Sequence, residues 1–171
     1  RKNQIVTDSF EPGSTMKVFV MAGAIDKGVV TPQTPLFCEN GAYPVGSHVI
    51  HEHDSKRYGT LTVSDIITVS SNIGAIKIGQ KLGYKKHHEY LRKFGFGEKT
   101  GIDLIGERDG FLRSPKDARE IEKATTAFGH GMTATPLQLV MAMSAIANQG
   151  VLMKPHVVKA VTDQRGRVVQ E

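Results

Sequence analysis

Glu11-Pro12-Gly13-Ser14-Thr15-Met16-Lys17 sets a hydroxyl and an amine three residues apart at the entrance to a good helix former. Ser14 falls where unpaired backbone N–H groups and the positive end of the helix dipole favour developing negative charge. Lys17 follows ~4.5 Å along the axis on nearly the same face. A serine hydroxyl is a weak nucleophile until a neighbouring base removes its proton. A lysine whose pKa is lowered in a desolvated cleft can be that base at neutral pH. The Ser14 N–H at the helix start would supply half of an oxyanion hole. Taken alone, Ser-x-x-Lys is common by chance and reads better as a helix cap followed by a solvated lysine.

Ser70-Ser71-Asn72 is the second group with chemistry in it. Consecutive serines and an asparagine disfavour a helix interior and suit a loop that projects side chains into a cleft. Ser70 would relay a proton between Lys17 and a leaving group, and Asn72 would hydrogen-bond a substrate amide. The same residues also cap the helix that follows, and the two roles are compatible.

These groups need elements to bring them together. Residues 15–27 read as a helix entered through Pro12-Gly13-Ser14 and stopped by Gly28. The Pro-, Gly-, Asn- and His-rich stretch from Val29 to Gly59 reads as loop with short extended pieces. Thr62-Val63-Ser64-Asp65 resembles a capping box opening a short helix over 63–69. Further helices follow over 73–82 and 84–94, the last with Leu91 and Phe94 on its apolar face. Ile102-Asp103-Leu104 is a strand candidate among turns, and Thr135-Pro136 caps and opens a helix that ends before Gly150. Val157–Val161 and Val168-Val169, joined by Asp163-Gln164-Arg165-Gly166, read as a β-hairpin. The expected class is α+β, helix-rich in the middle with strands towards the end.

Composition agrees with such a domain. The chain has 171 residues, 39% hydrophobic and 23% charged, within the range of globular proteins. No apolar run approaches the ~18 residues of a membrane span, and no signal segment opens the chain. A single cysteine, Cys38, excludes an internal disulfide and a cysteine-ligated cluster. The net charge of +5 comes without a block of consecutive Lys/Arg, and aromatics are few, so nucleic acid is not an expected partner. The chain opens at Arg1 without an initiator Met and closes on Gln170-Glu171 straight after a strand-like run, so a piece of a longer polypeptide is expected.

Ser-x-x-Lys followed by Ser-x-Asn is the signature of class A β-lactamases and penicillin-binding proteins, completed by Lys-Thr-Gly. The wider text is closer still. EPGSTMK, LTVSDIITVSSNIGAIKIG, FGFGEKTGIDLIGE and GHGMTATPLQLVMAMSAIANQG resemble the transpeptidase domain of class B penicillin-binding proteins, of the division and sporulation type. The resemblance covers essentially the whole chain, in the family's order. It implies a penicillin-binding-protein/β-lactamase-like fold, here a partial transpeptidase domain over 1–171 with the helix-rich part and a hairpin of the central sheet. It further implies Ser14 as the acylated nucleophile, Lys17 as its general base, and Ser70 with Asn72 as the second motif.

Lys99-Thr100-Gly101 spells the third signature but follows the helix-breaking Gly95-Phe96-Gly97 and lies too close behind Asn72. In the family the functional motif sits on a sheet-edge strand beside the nucleophile, much farther along. We read the string as a coincidence, and expect the true third motif, like the N-terminal anchor, to lie outside these residues. With the second oxyanion N–H missing, the fragment itself is expected to be inactive or weakly active. His48, His51, His53 and Asp54 crowd together, and such tracts can bind divalent ions. Yet the matching family loop carries His and Asp without metal, so neither metal nor cofactor is expected. His87-His88 read as surface positions, His130 as a turn residue that could touch substrate, Cys38 as a loop or core thiol, and Met141/Met143 as core.

Three functions fit, from different classes. The first, implied most directly, is a D,D-transpeptidase cross-linking peptidoglycan stem peptides and acylated by β-lactam antibiotics. The alternative is a β-lactam-hydrolysing or β-lactam-sensing protein on the same fold, for which no deacylating base is visible. The third is an inert scaffold module, disfavoured by the intact Ser14, Lys17, Ser70 and Asn72. The resemblance also implies other cell-wall synthesis or division proteins as partners. It implies a bacterial cell membrane location, the catalytic domain outside the cytoplasm and the membrane reached only through an anchor.

Overall fold

The computed structural model describes residues 2–170. A short helix α1 (Gln4–Thr7), capped by Asn3, precedes a 3-10 turn over Gly13–Met16 that runs directly into α2 (Lys17–Asp26). The expected single helix over 15–27 is therefore two helical segments. Gly28 ends the second with φ +64, as its position after the last turn predicted. Four short strands occupy the Pro/Gly-rich stretch: β1 (Pro35–Phe37), β2 (Ala42–Val45), β3 (His48–His51) and β4 (Thr60–Thr62). β2 and β3 form a hairpin, and β1 pairs antiparallel with β4.

Thr62 opens α3 (Val63–Val69) with the predicted capping box: its hydroxyl accepts from the Asp65 amide at 3.1 Å, and the Asp65 carboxylate takes the Thr62 amide at 3.0 Å. α4 (Asn72–Leu82) starts after only two intervening residues, and α5 (Tyr84–Lys93) follows directly across Gly83. After a long loop come α6 (Glu120–Thr125) and a 3-10 turn over Thr126–Phe128. The chain then enters α7 (Pro136–Ala147), capped by Thr135 with Pro136 in its first turn, as expected, and Gln138 completes a capping box with Thr135. A last hairpin pairs β5 (Val161–Thr162) with β6 (Val168–Gln170). The described strands form three separate two-stranded antiparallel sheets beside a helical body, an α+β arrangement.

α4 lies at the centre of that body. Its Ile73, Ala75 and Ile78 pack with Val20 and Ala24 of α2, Val63 and Ile66 of α3, and Cys38. Its other side sets Ile76 against Val45, Ala124 and Phe128. A Cβ on Gly74 would stand 2.5 Å from Ile66 Cγ1, so only glycine lets α3 and α4 come this close. A neighbouring cluster joins Met16 and Phe19 to Leu91, Phe96, Met132 and Ala142.

Four expectations are corrected. Ile102-Asp103-Leu104 is not a strand. The Asp103 carboxylate instead accepts the Val157 and Val158 amides at 2.7 and 2.8 Å. That diversion removes the donors a strand over 157–161 would need, and pairing is confined to Val161–Thr162. His87 is buried rather than on the surface, and burial pushes its imidazole down to about 4. Met143 is exposed on α7, and only Met141 is partly covered, so the pair is not core.

Candidate active site

Lys17 stands in the first turn of α2 with its side chain only 1% exposed. Its ammonium donates to the Ser70 carbonyl, to Ser70 Oγ at 2.8 Å and to Asn72 Oδ1 at 2.9 Å. An ammonium has three protons, and these acceptors take all of them. The sequence distance between Lys17 and Ser70 is closed by packing α2 and α3 on α4.

The turn between α3 and α4 makes this convergence possible. Ser70 ends α3 in the left-handed region, at φ 58 and ψ 44. Short side chains with local hydrogen bonds tolerate that conformation better than branched ones. In it the Ser70 carbonyl leaves the helix direction, and both its oxygens reach the same nitrogen. Ser71 then caps α4, accepting the Gly74 amide at 2.9 Å, and Asn72 occupies the first helical position. Capping and convergence coexist in one triplet.

Burial moves Lys17 most, lowering its pKa to about 8, and the negative charge of Glu52 acts in the opposite direction. Glu52 itself is 5% exposed. It accepts from Ser71 Oγ at 2.5 Å, the Asn72 amide at 2.6 Å and the Ile73 amide at 3.4 Å. Asn72 Nδ2 donates to the His51 carbonyl at 3.1 Å.

Ser14 lies in the 3-10 turn, exposed, three residues before Lys17. Side chains at i and i+3 eclipse in a 3-10 turn, so the two face the same way. The expected Ser14–Lys17 hydrogen bond is not formed: Ser14 has no side-chain hydrogen bond among the described residues, because the Lys17 donors are already occupied. The loop carrying Ser14 is held from the other side. Glu11 accepts the Gly131 amide at 2.9 Å, and Gly13 donates to the Gly129 carbonyl at 3.2 Å. His130 sits between those two ties, exposed, its ring 5.0 Å from that of Phe128.

Lys99-Thr100-Gly101 does not present a free binding edge. Thr100 donates its amide at 2.7 Å and its hydroxyl at 2.5 Å to Glu107 Oε1, and Gly101 donates to Glu107 Oε2 at 3.2 Å. His48 and His51 are on β3 and His53 is beyond it, its Nδ1 3.0 Å from Asp54. Among the described residues no three His, Cys, Asp or Glu side chains gather as a metal site would require. Cys38 is buried, and burial raises its thiol pKa, so no reactive thiolate is available. Sequence reasoning missed Glu52, an acidic residue hidden among histidines with no motif of its own. Glu11, within the Ser-x-x-Lys segment, has no sequence signal for its long-range contact with the Gly131 amide.

An exposed hydroxyl at a helical entrance, followed by a buried amine with a lowered pKa ringed by a second hydroxyl and an amide, is chemically competent for nucleophilic acyl transfer. A profile of the penicillin binding protein transpeptidase domain matches residues 1–171. The chain is 36% identical over 162 residues to stage V sporulation protein D of Bacillus subtilis, covering 95% of this chain and 25% of that protein. It is 35% identical over 150 residues to the peptidoglycan D,D-transpeptidase FtsI of Escherichia coli, covering 88% and 25%. It thus spans about a quarter of the length of both relatives. The transpeptidase domain of Burkholderia pseudomallei penicillin-binding protein 3 superposes with a TM-score of 0.88 at 35% identity, over 99% of this chain and 50% of that one. Penicillin-binding protein 3 of Mycobacterium tuberculosis, complexed with aztreonam, superposes at 0.91 and 30% identity, over 99% and 38%. On the match along its full length and these superpositions, the chain belongs to the penicillin binding protein transpeptidase domain family.

Proposed function

We propose that this chain is the acylating part of a peptidoglycan D,D-transpeptidase, with Ser14 as nucleophile. The observation that carries the reading is the Lys17 amine, buried and ringed by Ser70 and Asn72 three residues beyond an exposed serine. Lys17, once neutral, takes the Ser14 hydroxyl proton as Ser14 Oγ attacks the carbonyl carbon of the D-Ala-D-Ala bond. The oxyanion that forms faces the amides at the start of the helical segment. Collapse breaks the C–N bond, and Ser70 passes the Lys17 proton to the departing D-Ala nitrogen. The ester is then attacked by the amine of a second stem peptide, which restores Ser14. A β-lactam enters the same sequence, but its nitrogen stays tethered after ring opening and blocks the acceptor amine. Asn72 contributes a hydrogen bond to the substrate amide.

Hydrolysis of β-lactams needs a carboxylate or equivalent base free to activate water. Glu52, the buried carboxylate at the cluster, already has both oxygens engaged, which favours transpeptidation over the hydrolase reading. Attachment to the bacterial membrane, placement outside the cytoplasm and association with other wall-synthesis proteins belong to this proposal, as the family resemblance implies. Among the described residues no helix is long and apolar enough to cross a membrane. Treating the full-length protein with penicillin and weighing it intact tests the reading. One adduct on Ser14 that is lost in Ser14→Ala and released slowly is expected. No adduct, or rapid turnover of the drug, would reject it.

A further inference from the structure

The acyl-transfer steps leave a buried charge beside the cluster without a part. Glu52 is inaccessible, and a buried carboxylate is costly unless donors surround it. Here the donors are the Ser71 hydroxyl and the amides of Asn72 and Ile73, the N-terminal groups of α4 that have no partner within the helix. On either side of Ser71 stand Ser70 and Asn72, whose side-chain oxygens hold Lys17. The carboxylate therefore ties the loop after β3 to the short segment that shapes the cluster.

We propose that Glu52 is a positioning residue for acylation: by gripping Ser71 and the first amides of α4, it sets where Ser70 Oγ and Asn72 Oδ1 meet the Lys17 amine. The inference rests on the acyl-transfer reading above. Around this carboxylate the ionisable groups are Lys17 from α2 and Cys38 after β1, while Lys77, farther along α4, pairs with Glu39 in the turn after β1. The Glu52 charge holds the Lys17 pKa up against the larger effect of burial. Loss of this charge would lower the pH at which Lys17 deprotonates, whereas loss of its grip on Ser71 and α4 would lower the rate itself, so the two effects are read separately.

The experiment measures the rate of acylation by a fluorescent penicillin against pH in the full-length protein. Glu52→Gln keeps the size of the side chain, but its amide nitrogen meets donors where an acceptor is needed. It should slow the plateau rate roughly 10- to 100-fold, the scale of an ångström-sized misplacement. It should also move the rising limb to lower pH, because the charge that sustains the Lys17 proton is gone. Glu52→Asp, which retains the charge, should leave the limb in place and recover most of the rate. A wild-type rate in E52Q, or a slowed rate with an unmoved limb, overturns the proposal. Should E52Q fail to fold, Ser71→Ala decides. It removes one of three contacts and should slow acylation several-fold, and a wild-type rate there overturns the proposal. If the wild-type protein takes no label, the acyl-transfer reading fails first; if it labels and E52Q labels equally, only the role of Glu52 is lost.

Discussion

Lys17 must be neutral to accept a proton, yet the arrangement around it is that of an ammonium with three acceptors. With its pKa lowered to about 8 by burial, both forms lie within reach near neutrality. Acylation by penicillin should therefore rise with pH, half-maximal near 8, and level off above. Stopped-flow labelling across that range checks this, and a flat profile would remove Lys17 as the base. Ser70 touches the same nitrogen with two oxygens, of which Ser70→Ala deletes only the hydroxyl. That variant should keep the αL turn and the melting temperature within a few degrees. Its acylation should fall on the order of 10²- to 10⁴-fold, the usual worth of a proton-transfer group. Unchanged acylation would take Ser70 out of the proton path.

At the scale of elements, two chain crossings hold the cluster. One is the contact of α3 with α4 at Gly74, directly behind the Ser70 turn. The other is the approach of Gly129 to the Ser14 loop. Gly129 has φ +81, and a Cβ there would lie 2.2 Å from the Gly13 carbonyl oxygen and 2.5 Å from its nitrogen. Both neighbours are backbone, so nothing flexible can give way. Gly129→Ala should cost roughly 2–4 kcal/mol, combining the left-handed conformation with overpacking. It should also displace Ser14 from Lys17, so that residual folded protein labels slowly. Thermal melts and labelling of the same sample check both, and a wild-type result in either would show that the Gly13–Gly129 contact is dispensable. The buried Gln138 works similarly within α7. Its amide donates to the Glu98 and Asp109 carbonyls at 2.7 and 2.9 Å, which gives the long loop before α6 its shape.

Across the whole molecule, the final stretch is attached through few contacts. Val157, Val158, Val161, Val168 and Val169 are all exposed, and the Asp103 carboxylate holds the first two by their amides. Those amide donors keep the Asp103 carboxyl below its usual range. Its contribution is thus present at neutral pH, above the unfolded carboxylate pKa. It is lost only as the pH falls through the lowered native value. Asp103→Asn should free the segment at neutral pH, and limited proteolysis should cut between α7 and β5 faster than in the wild type while α2–α4 stay intact. Equal cleavage rates would show that Asp103 does not anchor the segment.

Local chemistry made much of this protein legible from its sequence alone. Thr62 with Asp65 caps α3 through groups three residues apart and Thr135-Pro136 opens α7, so their signals are complete within a turn. Ser14, Lys17, Ser70 and Asn72 likewise stood out by type and spacing, and the family resemblance supplied their expected roles. What only the tertiary structure decided are interactions between distant residues. The αL turn at Ser70 directs two oxygens at Lys17, whose donors are thereby diverted from Ser14. Asp103 captures the amides of a segment whose β-branched valines otherwise suggest a strand. Glu52 is unremarkable beside His51 and His53 until packing buries it against the start of α4. Periodicity and caps are fixed by neighbours along the chain, whereas the partner of a buried charge or an unpaired amide depends on which elements meet, and that is settled only when the core closes around α4.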